Sequence, residues 1–312
     1  MANPSASQLL LILAPMAGFT NHPFRLLCKK YGAGLVFTEM VSAEGLCHGN
    51  NMSEMLARVF DDERPAGIQL WGNDPEMMGK ASAIVCDKFS PAIIDINAGC
   101  PATKVIIKGA GSALLHDRAR LCGMVNEVKS AVDGRAKVWV KTRLLPDSES
   151  MISLAQDLRD AGADSITVHP RVVFEGQGCS TPIREEMFIE LRERAGMPVI
   201  WSGGINSRSD AMAVAGRTGC DGVMIARAAL GNPFVFSDDD GGQSRKWSER
   251  AAAFREFVEL CRNDDVPFRD VKAHAVFFPK FVKGAARVRN EASGAKDIEE
   301  LLGIFFAQVD SC

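Results

Sequence analysis

Cys100 lies just beyond a short β-branched run, Ile93-Ile94-Asp95-Ile96, at a bend built from Asn97, Gly99 and Pro101. The run suits a strand covered on both faces, and the asparagine, glycine and proline end it. Three chemistries are open to this thiol. It is an inert buried cysteine, the usual fate; a nucleophile, which needs a thiolate-stabilising neighbour; or a general acid, which needs a protonated thiol near its ordinary pKa. The bend that delivers it, with Asn97 and Gly99 alongside, weighs against the inert reading. Lys104 and the glycines Gly109 and Gly111 follow.

Further polar residues collect where apolar runs stop: Gln69, Lys141, Arg143, His169, Arg171, Ser202 and Arg227. Lys141 closes a buried-strand pattern, where an ammonium is costly to desolvate alone. It is a Schiff-base lysine, a fixed cation beside an electron-rich ring such as a flavin, or a snorkelling structural residue. Gly203-Gly204 and Ala226-Arg227 supply the two halves of a phosphate site. Glycine lets backbone N–H groups approach phosphate oxygens, Arg227 adds a bidentate donor, and a short helix is expected to begin there. The phosphate belongs either to a flavin mononucleotide or to a sugar phosphate. His169 orients a substrate, touches phosphate, or is a satisfied core histidine. No His/Asp/Glu cluster has ligand spacing, so no metal is expected.

The elements that must position these residues follow from periodicity. Strands are predicted at 9–14, 34–39, 67–71, 93–96, 137–141, 165–169, 198–202 and 222–226, and helices at 23–30, from about 73, and at 121–132, 150–161 and 209–216. Strands alternating with helices indicate parallel βα units, and eight of them indicate a (β/α)8 barrel with chemistry at the C-terminal strand ends. A doubly wound sheet would need a glycine fingerprint after the first strand; Pro15-Met16-Ala17-Gly18 is not one. Beyond the linker-like Asp238-Asp239-Asp240-Gly241-Gly242 the pattern is helical only, at 249–261, 269–282 and 297–308. The expected organisation is therefore a barrel over 1–237 and a helical domain over 238–312.

The net charge of −3 argues only weakly against a nucleic-acid partner, because distribution matters more than the total. Residues 271–290 carry Lys272, Lys280, Lys283, Arg287 and Arg289 with no acidic residue. They form either a solvated basic helix face or a phosphate-backbone contact surface. Nine cysteines with no C-x-x-C pair suit a reducing cytoplasm. The apolar run Leu9–Leu13 lacks a basic leader and is too short to span a membrane, so it reads as the first strand, and no membrane partner is expected.

Asn97-Ala98-Gly99-Cys100-Pro101, then Lys104-Val105 and Gly109-Ala110-Gly111-Ser112-Ala113-Leu114-Leu115, closely resembles the signature of the tRNA-dihydrouridine synthases. The resemblance extends over nearly the whole chain. It implies a barrel that binds FMN, takes NADPH as reductant and reduces uridine in tRNA to 5,6-dihydrouridine. It implies FMN contacts from Pro15, Met16, Ala17, Gln69, Lys141, His169, Ser202, Gly203, Gly204, Ala226 and Arg227. It further implies that Asn97 holds the uracil, that Cys100 donates a proton to C5, and that tRNA is gripped by the basic appendage, with Lys104, Arg143 and Arg171 on the substrate side. The expected state is a cytoplasmic monomer. Three segments depart from the family pattern: His169-Pro170-Arg171 continues with Val172 and no aromatic-glycine segment, Ser202-Gly203-Gly204 looks more like dihydroorotate dehydrogenases, and the appendage keeps only Lys272 and His274 of the usual Arg-Lys-His helix pattern. The competing readings are a flavin reductase of a free pyrimidine or enone, a non-catalytic tRNA-binding factor, and a flavin-free aldolase.

Overall fold

The computed structural model describes residues 9–172, 181–238 and 244–307. Strands β1 (Leu10–Leu13), β2 (Leu35–Ser42), β3 (Ala66–Trp71), β4 (Ile93–Ala98), β5 (Lys137–Leu144), β6 (Ser165–Val172), β7 (Val199–Ser202) and β8 (Gly222–Ile225) close into a barrel in chain order. Every pairing is parallel, including β1 with β8. Around them run α1 (His22–Lys30), α2 (Ala43–Cys47), α3 (Asn51–Ala57), α4 (Pro75–Phe89), α5 (Thr103–Ile106), α6 (Arg118–Val132), α7 (Ser148–Asp160), α8 (Glu185–Arg194) and α9 (Arg208–Thr218). After β8 come α10 (Trp247–Asn263), α11 (Phe268–Ala275), α12 (Ala285–Gly294) and α13 (Ile298–Ala307). The expected (β/α)8 barrel with C-terminal helices is what the chain forms.

Strand alternation sorts the side chains into two cores. One face of each strand packs against the helices in a large apolar cluster that includes Ile94, Ile96, Val138, Val140 and Val168. The other face fills the lumen. Its floor is apolar: Ile12, Leu35, Phe37, Ile93, Ile200 and Met224, with Trp139 against them. Two residues further along the same faces, the lumen turns polar with Gln69, Asp95 and Thr167, all buried. Gln69 lies opposite Asp95 across β3 and β4, and Asn97 lies opposite Lys141 across β4 and β5. Polar groups thus stand on a hydrophobic plug at the C-terminal mouth.

The structure corrects three expectations. The helix expected at 269–282 stops at Ala275; turns follow through Pro279 and Phe281, whose φ is +64°. Proline removes a helical donor and a left-handed residue turns the chain aside. Lys272, Lys280, Lys283, Arg287 and Arg289 therefore do not share one helix face. Nor does a regular helix begin at Arg227. Ala229 N–H bonds Ala226 O and Asn232 N–H bonds Ala229 O, both at 2.9 Å, and only then does a 3-10 turn form over Pro233–Phe236. Helix α8, unassigned in the periodicity, joins β6 to β7. Most of the atypical loop after Val172 and most of the 238–242 linker lie outside the described residues.

Candidate active site

The cysteine bend is built by its own strand. Asn97 Oδ1 accepts from the backbone N–H groups of Gly99 at 3.2 Å and Cys100 at 3.0 Å, so the side chain caps the turn that follows it. Arg143, buried on β5, gives its Nε–H to Gly99 O at 2.9 Å, and Ser112 N–H bonds Cys100 O at 3.0 Å. Cys100 itself is half-buried. Asn97 Nδ2 donates to Gln69 Oε1 at 2.9 Å and to Met40 Sδ at 3.0 Å. Its amide is thus fully engaged within the protein, which makes it the anchor of the bend.

On the facing strands, His169 stands at the mouth end of β6 with its Nδ1 buried and unpartnered. Burial, then the charges of Lys141, Arg143, Arg171 and Arg227, push its pKa down to about 3, so the ring is neutral at physiological pH. Gly203 makes room for it: a Cβ there would lie 2.4 Å from His169 Cδ2, and the φ of +128° excludes most side chains in any case. The β1 loop is shaped from within. Met16 N–H donates to Thr20 Oγ1 at 3.1 Å, and Gly18 N–H donates to Glu39 Oε2 at 2.5 Å.

These features fit a polar ring bearing an anionic group. Three buried side-chain atoms, Asp95 Oδ1, Thr167 Oγ1 and His169 Nδ1, have no protein partner, and buried polar groups ordinarily find one. Four cations converge on His169, and the backbone of Gly203-Gly204 opens beside it. A separate hollow of about 430 Å³ lies at the ends of β2 and β3, lined by residues including Glu44, Trp71, Asn73 and Lys108. Its lining includes none of the lumen groups Gln69, Asp95, Thr167 and His169.

Of the residues expected to act, the mouth gathers Gln69, Asn97, Cys100, Lys141, Arg143, His169 and Ser202, with Pro15, Met16 and Ala17 on the β1 loop and Arg227 exposed after β8. Arg171 is tied to Thr181 O. Lys104 is exposed on the short helix α5 after Cys100, while Lys283, Arg287 and Arg289 are exposed on the appendage. Lys272 bonds Ala295 O at 3.1 Å, and Lys280 bonds Arg227 O at 3.0 Å, so both ammonium groups are turned into the protein. Sequence reading passed over Asp95. Its signal was the two-residue step from Ile93 to Asp95 to Asn97 along one strand face.

A family model described as dihydrouridine synthase matches residues 12–309. The chain is 37% identical over 232 residues to tRNA-dihydrouridine synthase B of Pseudomonas putida, covering 73% of this chain and 67% of that protein. It is 36% identical over 231 residues to tRNA-dihydrouridine synthase B of Escherichia coli K12, covering 73% and 70%. Among solved structures, histamine dehydrogenase from Rhizobium sp. 4-9 aligns with a TM-score of 0.54 at 12% identity, over 80% of this chain and 49% of that one. At that identity the last match speaks for the fold alone.

Proposed function

The chain belongs to the dihydrouridine synthase family, and on that premise we propose that it reduces uridine in tRNA to 5,6-dihydrouridine with a bound FMN. The reading is supported by one observation: the capped cysteine bend at the end of β4 and a histidine on β6, kept neutral by burial and the charges of four cations, stand at the same end of the barrel. Ser202, Gly203, Gly204, Ala226 and Arg227 would hold the flavin phosphate, and Pro15, Met16, Ala17, Gln69, Lys141 and His169 its ring system. Bound there and reduced by NADPH, the flavin would supply a hydride to uracil C6. A base inside a folded tRNA cannot reach the lumen, so the target nucleotide leaves its stack to enter the mouth. Cys100 then gives the thiol proton to C5. Asn97 and Arg143 hold the bend that aims that proton, and His169, being neutral, adds a hydrogen bond without repelling Lys141.

The 238–312 helices are the tRNA-binding unit in this reading, with Lys104 extending the contact on to the barrel rim. The enzyme acts as a monomer in the cytoplasm. No described helix is long and apolar enough to cross a membrane.

An anaerobic titration tests the proposal. The expected spectrum is a flavin that bleaches with NADPH and regains its yellow bands only when unmodified tRNA is added. Cys100→Ala is expected to bleach normally and fail to reoxidise with tRNA. A flavin that bleaches and ignores tRNA, yet reoxidises with a free pyrimidine or enone, would replace the substrate assignment. A protein that takes up no FMN would overturn the cofactor.

A further inference from the structure

We infer that Asp95 is a positioning residue for Cys100, acting through the amides of Gln69 and Asn97. The inference rests on the reading of Cys100 as the reactive thiol. Asp95 has no solvent exposure and lies on the lumen face of β4, two residues before Asn97. Its Oδ2 accepts from Gln69 Nε2 at 2.6 Å, Gln69 Oε1 accepts from Asn97 Nδ2 at 2.9 Å, and Asn97 Oδ1 accepts from the N–H groups of Gly99 and Cys100. The chain runs from the lumen to the backbone nitrogen of the cysteine without a gap.

Its direction follows from the chemistry of the groups. A primary amide has one donor end and one acceptor end, whereas Asp95 Oδ2 only accepts here. Gln69 must therefore turn its NH2 toward Asp95 and its oxygen toward Asn97. Asn97 must in turn present its NH2 to Gln69 and its oxygen to the bend. Without the carboxylate, the Gln69 amide is held in this orientation only by the Asn97 NH2. Were it reversed, it would set NH2 against NH2, and relief of that clash would aim the Asn97 NH2 at two backbone donors. The cysteine bend would lose its acceptor, and a buried donor left unmet is expensive. Burial raises the Asp95 pKa to about 7, against which the Gln69 hydrogen bond and then the charge of Lys141 favour the ionised carboxylate. The other supports of the bend, Arg143 on Gly99 O and Ser112 on Cys100 O, hold carbonyl oxygens and cannot replace this acceptor.

The test reads the thiol itself, so it does not depend on turnover, NADPH or tRNA. Full-length protein is treated with iodoacetamide and the rate of alkylation is followed at each cysteine by peptide mass spectrometry. Cys47 and Cys122, also half-buried, serve as internal references. Asp95→Leu removes the acceptor while keeping the branching at Cγ, and Asp95→Asn keeps one oxygen facing Gln69. We expect Asp95→Leu and Asn97→Ala each to speed alkylation of Cys100 by about tenfold, the rate equivalent of roughly one lost hydrogen bond. Cys47 and Cys122 should keep their rates, Asp95→Asn should stay close to wild type, and the Asp95→Leu/Asn97→Ala double variant should exceed neither single one, since both break one chain. Should Asp95→Leu fail to fold, Gln69→Leu cuts the same chain from β3 and is expected to give the same result. Wild-type alkylation of Cys100 in the folded variants, effects that multiply in the double variant, or an Asp95→Asn rate matching Asp95→Leu would overturn the inference.

Discussion

His274 is fully buried on α11, its ring 5.4, 4.9 and 4.6 Å from those of Phe19, Phe24 and Phe257. Neither ring nitrogen makes a well-formed hydrogen bond. Burial pushes its pKa from the usual 6.5 down to about 3. The unfolded chain therefore takes up a proton below about pH 6.5 that the folded chain refuses until about pH 3, so stability falls as pH drops through that window. From pH 6.5 to 5 the loss from this one group is about 2 kcal/mol. His169 adds to it in the same direction. Asp95, raised to about 7 by burial, opposes both, because acid removes a buried charge. We expect His274→Phe to flatten the fall in urea midpoint between pH 7 and 5; an unchanged fall would place the acid sensitivity elsewhere. Sequence reading assigned such residues unevenly. Cys100 and Asn97 were legible because the bend that uses them is local and contiguous. Asp95 and His274 were not, since their meaning comes from strands and helices distant in the chain.

The elements that carry the site are braced by groups outside it. Arg25 on α1 and Glu63, both buried, form a bidentate pair at 2.5 and 2.7 Å, and Arg25 also donates to Thr20 O at 2.8 Å and Arg58 O at 3.0 Å. Thr20 in turn shapes the Met16 loop, so this pair ties the β1 loop to the chain between α3 and β3. Arg25→Met leaves the buried Glu63 carboxylate without its counter-charge and with only the Phe60 N–H, a loss of roughly 3–5 kcal/mol in a urea melt, whereas Arg25→Met/Glu63→Gln should recover much of it. A loss below about 1 kcal/mol in the single variant would mean that water reaches Glu63. The strands were legible to within a few residues because buried parallel strands read as apolar runs. β5 and β6 ran further than expected, to Leu144 and Val172, which puts Arg143 inside the sheet. The appendage was read less well: helical spacing continued past Ala275, but Pro279 and Phe281 broke the backbone that the spacing implied.

At the scale of the molecule, the appendage is seated on the segment that follows β8 at the barrel mouth. Gly231, with φ of +64°, packs so closely that a Cβ would fall 2.1 Å from the Phe277 carbonyl carbon, and Lys280 holds the Arg227 carbonyl. That seam divides the basic residues of the appendage into two kinds. Lys280 is partly buried, and its pKa falls to about 8 through burial and the nearby charges of Arg250 and Arg227. Its ammonium serves the seam. Lys283 and Arg289 are exposed, so they can reach a phosphate backbone. Each phosphate neutralised by such a side chain releases counterions, and the slope of log affinity against log salt records how many. Lys283→Gln and Arg289→Gln should each weaken tRNA binding and reduce the magnitude of that slope by about 0.7–0.9. Lys280→Gln should leave the slope unchanged while lowering FMN retention, because the loop it holds is the one that carries Arg227. Filter binding of unmodified tRNA across a salt series, with bound flavin measured on the same preparations, separates the two kinds. If the Lys280 variant alone changed the slope, the seam would itself be the tRNA contact. If neither exposed variant changed it, the grip would pass to the barrel rim around Lys104.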